Sequence, residues 1–119
     1  MVLKKISYQF ETAEHAKRVF REIKLLKHVN HYNVISLYDI FTDTPSIENF
    51  QHVYLVTNRM ESDLNNYLRR DKLEVAQISF FTYQIFRALK YLHSSKIIHR
   101  DLKPANLTIN EDWELRVKQ

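Results

Sequence analysis

Hydrophobic and polar positions change period several times along this chain. "MVLKKI" (residues 1–6) alternates apolar and polar side chains, as a half-buried strand does. From Thr12, placed to cap a helix with Glu14 in its first turn, the period lengthens. Ala16, Val19, Phe20, Ile23 and Leu26 then share one face, which predicts a helix over about 13–28. "VISLYDIF" (34–41) and "HVYLVTN" (52–58) are rich in β-branched and aromatic residues and read as two strands, joined by the polar connection "TDTPSIENF". Ser62 opens a short helix through "DLNNYLRR". The pattern thus predicts a small sheet with one helix, followed by a helical segment.

The stretch from Val75 to Ser94 predicts a long helix of another kind. Its apolar residues, among them Phe80, Phe81, Tyr83, Phe86, Leu89 and Leu92, go most of the way round. Gln77, Gln84, Arg87 and Lys90 leave a narrow polar stripe. Such a helix belongs in the centre of a domain. The 25 residues that follow it are a charged loop, a strand "LTI", a turn "NEDW" and a strand "ELRV", too little to wrap it. The expectation is a missing partner or a missing C-terminal half.

Composition narrows the class. A chain of 119 residues, 45% hydrophobic and 27% charged, is of single-domain length and far from the disordered class. It has no Cys, so neither disulfides nor thiolate metal sites arise, which fits a reducing compartment. No apolar run approaches the ~20 residues of a membrane span, and the first 20 residues do not resemble a secretory signal. The expected location is cytoplasmic or nuclear, with no membrane partner. A net charge of +4 invites an acidic partner, but Lys and Arg are interspersed with Asp and Glu, so nucleic acid is not expected. The absence of any Gly excludes a glycine-rich phosphate loop within these residues.

The candidate chemistry lies in "IIHRDLKPANLTIN" (97–110). An Asp held just after a turn accepts a proton from an incoming hydroxyl, a Lys two residues on neutralises phosphate, and an Asn five residues on ligates Mg²⁺ through its amide oxygen. Phosphoryl transfer needs such positioning and charge neutralisation. "HRD" alone reads equally as a solvated charged turn; the full spacing His-Arg-Asp-Leu-Lys-Pro-x-Asn does not.

"HRDLKPAN" resembles the catalytic loop of eukaryotic Ser/Thr protein kinases. "HAKRVFREIKLLKHVNHYNVISLYDIF", "VYLVTNRMESDLNNYL" and "YQIFRALKYLHSSKIIHRDLKPANLTINED" are similar to the mitogen-activated protein (MAP) kinases, and among them to the stress-activated, osmosensing subfamily. The resemblance implies an α+β, partial protein-kinase-like fold, with a partial small lobe over 1–60 and a partial large lobe over 61–119. It implies ATP and Mg²⁺ as cofactors, and protein substrates and upstream MAP kinase kinases as partners. Asp101 matches the catalytic base, Lys103 the phosphate-neutralising lysine and Asn106 a metal ligand. Lys4 takes the place of the strand lysine on the ATP phosphates and Glu22 that of its helix partner. Without the family context, Lys4 and Lys5 read as a solvated strand edge, and Glu22 as a partner of Lys17 or Arg18. Thr57 falls at the gatekeeper position, and Asn58, Arg59 and Met60 form the adenine-binding hinge. Leu107 lies under the adenine and Val2 above it. Arg100 matches the arginine that pairs with a phosphorylated activation loop, and His99 a packing residue. Two positions depart from the pattern: Val2 stands for the usual Ala, and Glu61 for the subfamily's Gly.

The glycine-rich strands, the Asp-Phe-Gly motif and the activation loop of the family have no counterpart in these residues. Lys118 and Gln119 fill the places just before and at the metal-binding Asp. The expectation is a kinase fragment inactive by itself, unstable or chaperone-bound unless a partner covers it. The alternative is a non-catalytic isoform acting as a decoy in the cascade.

Overall fold

The computed structural model describes residues 1–7, 12–46, 49 and 51–119, which divide into two compact units. The first comprises Met1–His28 and Ser36–Arg59, the second Val29–Ile35 and Met60–Gln119.

In the first unit, β1 (Val2–Ser7), β2 (Leu37–Thr42) and β3 (His52–Thr57) form an antiparallel sheet in the order β1-β3-β2. The central strand shows the period-two pattern: Val53 and Leu55 are buried, their neighbours only partly. They pack with Val19 and Leu26 of helix α1 (Ala13–His28), flanked by Ile6, Ile23, Leu37 and Ile40. Thr12 caps α1, its Oγ1 accepting the His15 N–H at 3.3 Å. The buried stripe is narrower than the sequence suggests, and Phe20 is 66% exposed on its flank. Part of the connection between β2 and β3 lies outside the described residues.

The strand expected over 34–41 begins only at Leu37. Val34 and Ile35 bond elsewhere, because Ile35 N–H donates to the Val117 carbonyl at 3.0 Å and Val117 N–H to the Asn33 carbonyl at 2.8 Å. A register irregularity between Leu37 and Asp39 sets Tyr38 apart, and its hydroxyl accepts from Asn58 Nδ2 at 2.6 Å.

The second unit is built on β4 (Ser62–Asp63), α2 (Leu64–Arg70), α3 (Val75–Ser94), β5 (Leu107–Ile109) and β6 (Leu115–Val117), with antiparallel strand order β4-β5-β6. Asp63, not Ser62, caps α2, its Oδ1 accepting the Asn66 N–H at 2.8 Å while Ser62 pairs with Ile109. Helix α3 has the expected bounds. Phe81, Ala88 and Leu92 pack it against Val34, Leu107, Ile109, Leu115 and Val117. Gln84, which the sequence places on the polar stripe, is 4% exposed and belongs to this buried face. The reason is spacing, since 81, 84, 88 and 92 follow one another at three and four residues. The opposite face of α3 is open, with Tyr83 59% and Phe86 65% exposed.

Among the described residues, three non-glycine residues adopt left-handed backbone: Lys96 (φ 61°), Arg100 (φ 65°) and Trp113 (φ 61°). Lys96 follows the last turn of α3, where glycine is the usual terminator. With no glycine in the chain, ordinary residues take these positions at a cost of about 1–2 kcal/mol each.

Candidate active site

The loop between α3 and β5 is held at both ends by backbone bonds. Ile97 N–H closes on the Leu92 carbonyl at 2.9 Å. Pro104 starts a single 3₁₀ turn through Asn106, its fixed φ suited to that place, and Asn106 N–H reaches the Lys103 carbonyl at 2.9 Å. This turn brings three sequence-predicted residues together. Lys103 Nζ lies 2.9 Å from Asp101 Oδ2. Asn106 Nδ2 donates to the same oxygen at 3.0 Å and to the Asp101 carbonyl at 2.9 Å. The hydrogen bond from Lys103 comes first among the influences that hold the Asp101 carboxyl below its ordinary range; that from Asn106 acts the same way, and burial opposes them. Asp101 is therefore an anion at neutral pH.

Arg100, between His99 and Asp101, sits in the left-handed region, a strained backbone of the kind found at functional sites. His99 braces the loop through both ring nitrogens. Its Nδ1 accepts the Asp101 N–H at 3.2 Å, which leaves the proton on Nε2 to donate to the Lys118 carbonyl. Both nitrogens are thereby committed to backbone, and His99 serves as a strut. Lys118 N–H in turn donates to the Asn106 carbonyl at 2.9 Å, tying β6 to the loop.

The support under β6 escaped sequence reasoning. Asn33 is fully buried; its Nδ2 donates to Gln84 Oε1 at 3.1 Å and to the Leu115 carbonyl at 3.0 Å. Gln84 Oε1 also accepts the Leu115 N–H at 2.8 Å, and Gln84 Nε2 donates to the Trp113 carbonyl at 2.9 Å. A polar residue in the Phe81–Leu92 stripe was the signal available for Gln84. Glu61 was noted only as a departure from glycine, yet its carboxylate accepts the Glu111 N–H at 2.6 Å and its own N–H donates to Ile109 at 3.1 Å.

In the first unit, Lys4 Nζ and Glu22 Oε1 meet at 3.1 Å, joining β1 to α1. Lys5 points elsewhere, its Nζ 5.8 Å from the centre of the Tyr54 ring. Thr57 ends β3, and the next residue, Asn58, uses its side chain on Tyr38 and on the Ser36 N–H (2.7 Å). Of the remaining predicted residues, Met60 belongs to the second unit and Leu107 is buried in its core.

The sequence profile described as "Protein kinase domain" matches residues 1–118. The chain belongs to the protein kinase family. Within that family it is similar to the MAP kinases. It is 53% identical over 120 residues to mitogen-activated protein kinase p38a of Drosophila melanogaster, and 50% identical over 120 residues to p38b of the same organism. It is also 52% identical over 117 residues to mitogen-activated protein kinase 14 of Xenopus laevis. Each alignment covers 98% of this chain and 32–33% of the relative, so the chain spans about a third of the length of the curated relatives it matches. The α+β architecture, three α-helices with two antiparallel sheets among the described residues, accords with a partial kinase fold. Among the described residues no helix is long and apolar enough to cross a membrane.

Proposed function

We propose that these residues form the catalytic loop and the strand–helix ion pair of an ATP-dependent protein Ser/Thr kinase of MAP kinase type, acting in stress signalling. The observation that carries this reading is the Asp101 carboxylate fixed through one oxygen by Lys103 and Asn106. Its other oxygen is then available to accept the proton of a substrate Ser or Thr hydroxyl, the role of a general base in phosphoryl transfer. Lys103 neutralises charge on the transferring phosphoryl group. Lys4, held by Glu22, contacts the ATP phosphates; the family resemblance assigns adenine contacts to Thr57 and Asn58 in the first unit and to Met60 and Leu107 in the second.

The donor set fits Mg²⁺ to the extent of one ligand. Asn106 spends its amide nitrogen on Asp101, leaving the amide oxygen to face a hard cation. Among the described residues no group of three or more His, Cys, Asp or Glu is placed to hold a metal, so the ion would rest on Asn106, phosphate oxygens and water. Bound there, it supplies charge neutralisation to the phosphates. The 119-residue polypeptide, with no glycine and hence no glycine-rich loop or Asp-Phe-Gly, is expected to transfer phosphate poorly by itself. Its proposed setting is the cytoplasm or nucleus, with protein substrates and upstream MAP kinase kinases as partners and a chaperone when alone.

The test is made in the natural protein that carries this segment. Asp101→Asn keeps the hydrogen bond to Asn106 within reach but removes the base. We expect kcat for phosphate transfer to a Ser/Thr protein substrate to fall by roughly 10²–10⁴, with ATP binding nearly unchanged. Retention of kcat would remove Asp101 from the proposed role.

A further inference from the structure

We propose, resting on the role given above to Asp101, that Asn33 and Gln84 are positioning residues for phosphoryl transfer: they fix the register of β6, so that Lys118 holds the catalytic loop in place. Asn33 is fully buried and Gln84 4% exposed, and both lie in the second unit together with every group they bond. The network needs no exposed face.

Strand β6 ends its sheet, with β5 on one side in a ladder of only three residue pairs. Its other edge is taken up by Asn33, Ile35 and Gln84. Gln84 Oε1 accepts the Leu115 N–H at 2.8 Å, Gln84 Nε2 donates to the Trp113 carbonyl at 2.9 Å, and Asn33 Nδ2 donates to the Leu115 carbonyl at 3.0 Å. The Asn33 carbonyl accepts the Val117 N–H at 2.8 Å, and Ile35 N–H donates to the Val117 carbonyl at 3.0 Å. These bonds fall on Trp113, Leu115 and Val117, alternate positions along the chain. The apolar contacts of Phe81, Ala88 and Leu92 with Leu115 and Val117 are non-directional and resist separation more than sliding. A hydrogen bond, confined in distance and angle, sets position along the strand.

Register matters because the residue after β6 carries the loop. The Lys118 carbonyl accepts from His99 Nε2, and Lys118 N–H donates to the Asn106 carbonyl at 2.9 Å. Both partners bond Asp101, His99 Nδ1 accepting its N–H at 3.2 Å and Asn106 Nδ2 donating to its Oδ2 at 3.0 Å. A slip of β6 by one residue would carry Lys118 about 3.3 Å along the strand, more than a hydrogen bond tolerates. Misplacement of a reacting group by about 1 Å is enough to cost roughly 10² in rate.

Stability alone does not account for Asn33. Its Oδ1 is buried with no hydrogen-bond partner among the described residues, which costs stability. What the amide adds over an apolar side chain of similar size is direction, the property that positioning requires.

The test is made in the natural protein that carries this segment, as kcat and KM for ATP per folded molecule, with the folded fraction read by circular dichroism at the assay temperature. Gln84→Met keeps the volume and removes the side-chain bonds to Asn33, Leu115 and Trp113. We expect kcat to fall about tenfold, with KM within about threefold. Asn33→Ala also removes the orphaned oxygen and so disturbs folding less; it should lower kcat as well, and it replaces Gln84→Met throughout if that variant does not fold. Phe81→Leu loosens the same face of α3 without removing a hydrogen bond to β6, and should leave kcat within about twofold. In a His99→Ala background one tie between Lys118 and the loop is already gone, so Gln84→Met should cost less than about threefold there. Three results would overturn the positioning role: kcat retained in both amide variants, an equal loss in Phe81→Leu, or the same fold loss from Gln84→Met with and without His99. Asp101→Asn separates this role from the reading it rests on. If kcat is lost in Asp101→Asn but retained in both amide variants, the positioning role alone falls; if it is retained in Asp101→Asn, the base falls and this role with it.

Discussion

Replacing Gln84 by Ala tests the buried network directly. Gln84 Oε1 accepts from Asn33 Nδ2 and the Leu115 N–H, and Gln84 Nε2 donates to the Trp113 carbonyl. In the alanine variant Asn33 Nδ2 keeps the Leu115 carbonyl at 3.0 Å, but the Leu115 N–H and the Trp113 carbonyl lose their partners. Each polar group left unpaired in the interior costs about 1–3 kcal/mol, so the two together give about 2–6 kcal/mol. A domain's margin is only about 5–15 kcal/mol, and the variant should lose a large part of it. Urea unfolding measures this as a lower midpoint at unchanged slope. Hydrogen exchange at Leu115, Val117 and Lys118 should quicken more than at Val53 or Leu55 of the first unit. Combining Gln84→Ala with Asn33→Ala should cost less than the sum of the two, since they share one bond. A loss below about 1 kcal/mol for Gln84→Ala would refute the reasoning, because it would mean that water reaches these groups at little cost.

The other predictions are smaller in scale. Lys4→Met should change unfolding free energy by less than about 1 kcal/mol, because Lys4 is 57% and Glu22 31% exposed; a larger loss in urea unfolding would make the pair structural. Lys96→Gly should stabilise by about 0.5–1 kcal/mol, the relief of left-handed backbone at φ 61° less the entropy of glycine, and an unchanged or lower melting temperature would contradict it. His31 has a lowered pKa in the folded state, so the unfolded chain binds the proton more readily, and stability should fall as pH drops through the ordinary value of 6.5 towards the folded one. Urea midpoints at several pH values should show this slope flattened in His31→Asn, and equal slopes in both proteins would tell against it.

Helices and strands were legible where the buried set repeats within one element. Helix α3 shows it best, since Phe81, Ala88 and Leu92 recur at helical spacing whatever packs on them. Boundaries failed where another element took over the backbone. Val34 and Ile35 look like strand because they are β-branched, but Val117 of β6 bonds the backbone of Asn33 and Ile35 on either side of Val34, so β2 starts at Leu37. Asp63 displaced Ser62 as the cap of α2 because Ser62 is drawn into a ladder with Ile109, a residue distant in sequence. The apolar circumference of α3 marks a helix that the 25 residues after it are too few to wrap, and Phe86 and Tyr83 do face outward. Periodicity records which faces are apolar, not which of them this chain covers.

The same division runs through the candidate site. Asp101, Lys103 and Asn106 could be read together because six consecutive residues are enough to bring the Lys103 and Asn106 side chains within 3.0 Å of the Asp101 carboxylate, so spacing alone carries the geometry. What holds that turn against β6 depends on contacts that no local pattern contains. The bonds from Asn33 to Gln84, from Leu115 to Gln84 and from Asn33 to Leu115 span 51, 31 and 82 residues. Their chemistry is ordinary amide pairing, available to any Asn or Gln on the chain, and only the fold selects which ones meet. Gln84 passes for a surface residue until Leu115 is seen to need an acceptor. Position 84 therefore tolerates few replacements: Gln84→Glu would supply oxygen to Asn33 and Leu115 but set a carboxylate against the Trp113 carbonyl, and a buried anion facing a carbonyl is costlier than the amide it replaces.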